Sequence, residues 1–162
     1  GDWSSDVCSS DLVDINAVGP SGYFVDFVRC FKCASKMNQQ EIDLYREVYD
    51  SMYAGIAQLK PGNTTADVAA CFPKYDDDKY GTVTLQQFAH SIGITLYEGM
   101  WISRAYSLDH PAEIKENMYF AAETFAGHPG LPQTTRLEEN VLVSADGPVV
   151  FTMMEHMEEA MG

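Results

Sequence analysis

Apolar residues recur at helical spacing between residues 38 and 59. Asn38 and Glu41 have the spacing of a capping box, in which each side chain bonds the backbone N–H of the other residue, so a helix is predicted to begin there. Lys60-Pro61-Gly62 is predicted to end it, because proline and glycine rarely continue a helix. We interpret its apolar stripe as core packing; the stripe contains Ile42, Tyr45, Tyr49, Met52, Tyr53, Ile56 and Leu59.

A shorter helix is predicted to begin at Thr64 or Thr65 and to run to about Phe72. Asp67 lies in its first turn, where a negative charge interacts favourably with the helix dipole. The three consecutive aspartates that follow, residues 76–78, lack the ligand spacing of an EF-hand calcium loop. We therefore predict a solvated turn there.

Much of the remaining chain favours β-strands. Residues 13–18 and 23–31 are rich in β-branched and aromatic side chains and flank a glycine-proline turn, which predicts a hairpin. Three later runs, residues 118–126, 135–143 and 149–152, predict a short antiparallel meander. Together these patterns predict an α+β fold in which an antiparallel sheet is flanked by helices.

Composition narrows the class of protein. A chain of 162 residues with 46% apolar content is long enough for one domain with a substantial core. Its formal charge of -14 argues against a nucleic acid or an anionic membrane surface as the partner, because both require a basic face. No apolar run approaches the roughly 20 residues that span a bilayer. We find no signal-peptide pattern, so a cytoplasmic protein is the simplest expectation.

His90 lies among small and apolar residues and is the strongest single ligand candidate. A lone histidine in such a run is more often a packed core residue, and that alternative stays open. Alternation along the predicted strand of residues 135–143 places Glu138 and Glu139 on opposite faces, so only one of these two glutamates can face a shared site. One imidazole with four carboxylates suits a pair of divalent cations. The four candidate carboxylates are Asp14, Asp26, Glu123 and Glu138, of which the two aspartates are equally well explained by an open sheet face.

The candidate ligands lie in short sequence pieces that follow one another in a fixed order. The pieces are Val13-Asp14-Ile15-Asn16, Gly22-Tyr23-Phe24-Val25-Asp26, His90-Ser91-Ile92-Gly93, residues 117–124, and Arg136-Leu137-Glu138-Glu139-Asn140. In this order they resemble the M24 metallopeptidase superfamily, which includes methionyl aminopeptidases, aminopeptidase P and prolidase. The resemblance extends from residue 13 to the end of the chain. It implies a partial pita-bread fold.

The resemblance implies a site for two divalent metal ions. Asp14 would bind one cation, Asp26 and Glu138 would bridge the pair, and His90 and Glu123 would complete the second. Glu123 would also act as a general base. The ligand set suits Mn, Fe, Co or Zn. The implied reaction is hydrolysis at an N-terminal residue or an Xaa-Pro bond, so the expected partner is a small-molecule or short-peptide substrate, with a homodimer as an option.

Tyr97 departs from the peptidase pattern, which has a His-Glu pair beginning seven residues after the metal histidine; here Tyr97 stands in place of that histidine, and Glu98 follows it. A phenol donates a hydrogen bond but carries no positive charge. We expect Tyr97 to act in catalysis and Tyr97, Glu98 and Arg136 to contact substrate. The Tyr-Glu pair also resembles superfamily lyases that cleave dimethylsulfoniopropionate. A third reading is an inactive pita-bread binding module, although such modules usually lack the metal ligands.

Residues 1–12 resemble a translated sequencing-adapter oligonucleotide at the edge of an assembled contig. A polar, disordered N-terminal tail is the alternative, and both readings exclude this segment from the fold. We therefore predict two segments: residues 1–12, a non-native or disordered tail, and residues 13–162, the C-terminal part of an M24-like catalytic domain. The first reading also predicts that the natural gene extends upstream.

Overall fold

The computed structural model describes residues 10–33, 35–72, 87–128, 130, 133–152 and 154–162. The predicted aspartate turn and residues 1–9 of the predicted tail lie outside these ranges. The described elements are β1 (Ser10–Val18), β2 (Phe24–Lys32), α1 (Gln39–Ile56), α2 (Thr65–Ala70), β3 (Gln87–Ser91), β4 (Trp101–Ser103), α3 (Arg104–Ser107), β5 (Tyr119–Gly127), β6 (Thr134–Ser144), β7 (Gly147–Val150) and α4 (Glu158–Met161).

The strands form two antiparallel sheets. β1 and β2 make a two-stranded hairpin, whereas the larger sheet has the strand order β4-β3-β5-β6-β7. The predicted hairpin, meander and α+β class are confirmed. β1 begins at Ser10, inside the segment that we predicted to be a tail, while the division of the chain at residue 12 stays a prediction.

The predicted start of α1 is confirmed in atomic detail. Asn38 Oδ1 accepts from the Glu41 backbone N–H at 3.0 Å, and Glu41 Oε2 accepts from the Asn38 N–H at 2.8 Å. The buried face is broader than the predicted stripe, because α1 packs on both β5 and β6 and buries Leu44 and Val48 as well. None of the described helices is both long and apolar enough to span a membrane.

The N-cap of α2 is Thr64, which is one of the two residues predicted for the start of this helix. The carboxylate of Asp67 accepts hydrogen bonds from the Thr64 backbone N–H at 2.7 Å and from its hydroxyl at 2.8 Å. These bonds satisfy a backbone donor at the helix start that has no partner within the helix. α2 ends at Ala70, two residues before the predicted end.

The two faces of the larger sheet have different chemistry. One face carries buried apolar side chains of β5 and β6 that join α1 in the core, including Phe120, Ala122, Leu137 and Val141. Because side chains alternate along a strand, the residues between them point to the other face. That second face carries His90, Glu123 and Glu138, and the β1–β2 hairpin contacts the sheet through β2 and β6.

Candidate metal centre

Three predicted ligands project from one face of the larger sheet. His90 in β3 pairs with Ala121 in β5, and Glu123 in β5 pairs with Glu138 in β6. Paired residues on antiparallel strands direct their side chains to the same face. Ala121 contributes only a methyl group above β5, which leaves room for His90 and Glu138 to approach each other over the intervening strand.

The hairpin adds a fourth predicted ligand, Asp26 of β2. His90 Nε2 lies 3.5 Å from Asp26 Oδ2 and 3.9 Å from Glu138 Oε1. Asp26, His90 and Glu138 each offer one ligand atom, and these three atoms all lie within 4.8 Å of one another. All three residues are buried. The described part of the chain therefore contains a buried carboxylate–histidine cluster of the size that a cation occupies.

The tautomer of His90 explains why this cluster is not held by hydrogen bonds. His90 Nδ1 lies 3.2 Å from the Ser91 carbonyl oxygen, so in the neutral ring Nδ1 is the donor and Nε2 is an acceptor. His90 Nε2 and both carboxylate oxygens of Glu138 are buried and have no hydrogen-bond partner among the described residues. Acceptors that face one another without a donor fit a shared cation, and the backbone bond at Nδ1 is a common way of orienting a metal-binding imidazole.

The carboxylates of this site repel one another in a poorly hydrated environment. Burial raises the pKa of Glu138 to about 10, and the charges of Glu123 and Asp26 add to the effect. Burial also raises the pKa of Glu123, although the neighbouring Arg136 acts in the opposite direction. Without a bound cation, Glu138 therefore carries a proton at neutral pH.

Arg136 connects the two remaining predicted ligands to each other. Its Nη2 forms an ion pair with Glu123, and its Nη1 lies 3.7 Å from Asp14 Oδ2. Gln87 also donates to Glu123. Asp14 is exposed and accepts a hydrogen bond of 2.6 Å from Asn16. The structure thus brings Asp26, His90 and Glu138 together directly, whereas Arg136 joins Glu123 and Asp14 to each other.

Tyr97 lies over this site, and its neighbour Glu98 is engaged in its own loop. The ring centroid of Tyr97 is 4.5 Å from that of His90. Burial raises the pKa of Tyr97, and the charges of the three nearby carboxylates add to the effect, so the phenol is neutral at physiological pH. Glu98 Oε1 accepts from the Thr95 backbone N–H at 2.9 Å, and its carboxylate lies against Gly93.

A second ionic network lies behind β6, on the face opposite the cluster. Arg29 Nη2 and His156 Nε2 each lie 2.8 Å from Glu139 Oε1. Burial acts to raise the pKa of Glu139, but the hydrogen bond from His156 and the charge of Arg29 lower it below its usual value. The predicted separation of the two adjacent glutamates is confirmed.

Two other histidines are engaged away from the cluster. His156 packs against Glu139 and Tyr45, so its side chain is only 12% exposed. His128 Nε2 lies 2.7 Å from Glu47 of α1. Sequence reasoning missed these partners and Arg29, because alternation predicts which face a side chain occupies and not which distant residue meets it there.

The fold and the cluster define an α+β protein with a buried carboxylate–histidine site suited to a divalent cation. The sequence matches metallopeptidase family M24 over residues 8–145, and the chain belongs to this family. The match begins two residues before β1 and includes part of the segment that we predicted to be a tail. No curated protein matches the chain.

Solved structures of M24 enzymes share the fold. A prolidase from Pyrococcus furiosus superposes with a TM-score of 0.75 at 23% identity over 91% of this chain and 42% of its own. An X-Pro aminopeptidase from Thermotoga maritima MSB8 gives 0.75 at 20% identity, over 91% of this chain and 40% of its own. A methionine aminopeptidase from Rickettsia prowazekii superposes with a TM-score of 0.70 at 19% identity, over 89% of this chain and 64% of its own. The predicted partial pita-bread fold is confirmed, and the chain spans about two fifths of the first two enzymes.

Proposed function

We propose that this chain carries the metal site of an M24-type hydrolase that removes an N-terminal residue or cleaves an Xaa-Pro bond in short peptides. The observation that carries the proposal is the set of buried, unpartnered acceptor atoms on His90 and Glu138. Buried polar atoms in proteins nearly always have a partner. A divalent cation would provide one for all of these acceptors and would remove the repulsion among the carboxylates.

The donor set fits a pair of cations. Asp26, His90 and Glu138 are close enough to share one ion, with Glu123 beside them on β5. Asp14, together with Asp26 and Glu138, would hold the second ion. The side chain of Asp14 is 34% exposed, which leaves its oxygens accessible. An oxygen-rich set with one imidazole suits Mn, Fe, Co or Zn.

Bound cations would supply a water of lowered pKa and would polarise the substrate carbonyl. The residues of the chain would transfer protons and orient the substrate. Glu123 lies beside the cluster and burial raises its pKa, so it is suited to accept and return a proton. Tyr97 would donate a hydrogen bond to a substrate oxygen, and Arg136 would balance negative charge at the site.

A lyase on the same scaffold is the second candidate, and Tyr97 is the observation that favours it. The neutral phenol lies tilted against the His90 ring, where the peptidase pattern has a histidine that can carry positive charge. In a lyase such as one that cleaves dimethylsulfoniopropionate, the site would hold a substrate carboxylate while a base removes a proton from the adjacent carbon. The carbon–sulfur bond then breaks to release dimethyl sulfide and acrylate.

Metal content tests the proposal directly. The chain is incubated with Mn²⁺, desalted and analysed by elemental mass spectrometry beside His90→Ala and the control His110→Ala, which removes an exposed histidine. We expect about two ions per chain in the wild type and in His110→Ala, and loss of metal in His90→Ala. A folded wild-type chain that retains no metal would contradict the proposal and would favour an inactive binding module.

Substrate assays separate the two enzymatic candidates. The metal-loaded chain is incubated with Ala-Pro and Met-Ala, and free amino acids are quantified against the His90→Ala variant. Parallel samples receive dimethylsulfoniopropionate, and the headspace is analysed for dimethyl sulfide. Amino-acid release that depends on His90 supports the hydrolase, whereas dimethyl sulfide without amino-acid release assigns the chain to the lyases.

A further inference from the structure

Two ligands of the candidate metal centre come from strands that share no backbone ladder. Asp26 lies on β2 in the hairpin, and Glu138 lies on β6 in the larger sheet. Backbone hydrogen bonds fix the spacing of neighbouring strands within a sheet, but they do not fix the spacing between these two strands. Side chains make the connection instead. We call this connection the β2–β6 seam, formed by Arg29, Cys30 and Asn140.

Asn140 makes the part of the seam that lies at the metal ligand itself. The Asp26 backbone N–H donates to Asn140 Oδ1 at 3.2 Å, and Asn140 Nδ2 donates to the Asp26 carbonyl oxygen. The side-chain amide thus makes the pair of bonds that a partner residue makes in an antiparallel ladder. The Asp26 N–H can only donate and its carbonyl can only accept, which determines which end of the amide is the acceptor. Tyr119 donates from its hydroxyl to the same Asn140 Oδ1 at 2.8 Å and supports this orientation.

Arg29 and Cys30 continue the seam along β2. Arg29 Nη1 donates to the Glu138 carbonyl oxygen at 2.9 Å, so it holds the backbone of the other bridging ligand. Cys30 Sγ donates to the Arg136 carbonyl oxygen at 3.2 Å and accepts from the Arg136 N–H at 3.3 Å. Asn140 and Arg29 are both almost completely buried, so water does not compete for these bonds.

We propose that Asn140 is a positioning residue of the metal centre, which holds Asp26 at the separation from Glu138 at which both carboxylates bind one cation. The inference rests on the proposed function, because it requires that the cluster binds metal. Metal–ligand distances tolerate deviations of only about 0.2 Å. A strand that is free to shift relative to the sheet would therefore lose affinity for metal even though every ligand is present.

Cobalt binding tests this role. Co²⁺ is titrated into the chain and followed by its visible absorption, which reports both affinity and ligand geometry. Asn140→Leu keeps the volume of the side chain and removes both bonds to Asp26. We expect its dissociation constant for Co²⁺ to rise about 10- to 100-fold, with an altered absorption band. An unchanged dissociation constant in folded Asn140→Leu would overturn the inference.

The control is Asn63→Leu, which removes two side-chain hydrogen bonds to Gln58 away from the site. It should leave Co²⁺ affinity unchanged, and an equal loss of affinity in both variants would overturn a specific role for Asn140. If Asn140→Leu does not fold, the Tyr119→Phe variant tests the inference instead, because it removes only the hydroxyl that bonds Asn140. We expect the Co²⁺ affinity of Tyr119→Phe to fall several-fold, and an affinity equal to that of the wild type would overturn the inference. A wild-type chain that binds no Co²⁺ would instead overturn the proposed function, and this inference with it.

Discussion

His90 and Glu138 project from strands that are not neighbours, yet His90 Nε2 lies 3.9 Å from Glu138 Oε1 across β5. The contact is not a hydrogen bond, because Nδ1 of the ring is the donor and is directed to the Ser91 carbonyl oxygen. Two acceptors therefore face each other in a buried site. Such an arrangement is unfavourable unless a proton or a cation joins them. We therefore expect substitutions of Glu138 and of its neighbour Glu139 to change the free energy of unfolding in opposite directions.

Glu138→Gln should stabilise the metal-free chain by roughly 1–3 kcal/mol at pH 8, because it replaces an unpartnered buried carboxyl with a neutral amide. The folded pKa of Glu138 is raised from 4.5 to about 10, so the folded state holds a proton that the unfolded state releases. This proton uptake leaves the chain most stable below pH 4.5, and its stability falls as the pH rises towards 10. Urea unfolding in EDTA at several pH values measures this effect. A pH dependence that persists unchanged in Glu138→Gln would contradict the assignment.

Glu139→Gln should have the opposite effect and destabilise the chain by about 3 kcal/mol at neutral pH, because it leaves the buried Arg29 charge without its carboxylate partner. The pKa of Glu139 is lowered in the folded state. Its contribution is therefore present above the ordinary carboxyl pKa and is lost as the pH falls through the folded value. Urea unfolding from pH 7 downwards should show the wild type and the variant converging in acid. Equal shifts of the urea midpoint in the two glutamate variants would refute this account.

Gly55→Ala should destabilise the chain although alanine is the better helix former. The added Cβ would lie 2.5 Å from Phe72 Cε2, and that ring is stacked on Phe88 with 3.9 Å between centroids. Overpacking costs about 1–3 kcal/mol, which exceeds the helix-propensity gain of about 1 kcal/mol.

The control for this substitution is Ala54→Gly on the exposed side of α1, which should also destabilise by about 1 kcal/mol, through propensity alone. Thermal unfolding measures both variants. An increased midpoint for Gly55→Ala would show that Phe72 yields without cost.

Tyr97→Phe should lower kcat/KM about 10- to 100-fold on the substrate that the chain turns over, because it removes the hydrogen bond donated to the reacting oxygen. Metal content should not change, since the phenol is not one of the proposed ligands. Tyr106→Phe removes an exposed hydroxyl and should leave both quantities unchanged. If Tyr97→Phe lost metal, its hydroxyl would be a determinant of the metal site and not a hydrogen-bond donor to substrate.

The sequence by itself determined the features that depend on local geometry. The capping box of Asn38 and Glu41, the hairpin and the meander follow from hydrogen bonds and side-chain periods that span only a few residues. Alternation in β6 was enough to place Glu138 and Glu139 on opposite faces. The order of the ligand-bearing pieces was enough to predict the M24 family and its fold.

Only the tertiary structure decided which of these groups meet. Asp26 reaches His90 because β2 packs on β6, and Arg136 joins Asp14 to Glu123. The burial of His156 against Glu139 likewise depends on how the C-terminal segment returns over α1. Such contacts join residues that are far apart in the chain, so strand order and packing select them, and no local pattern of residues encodes that choice.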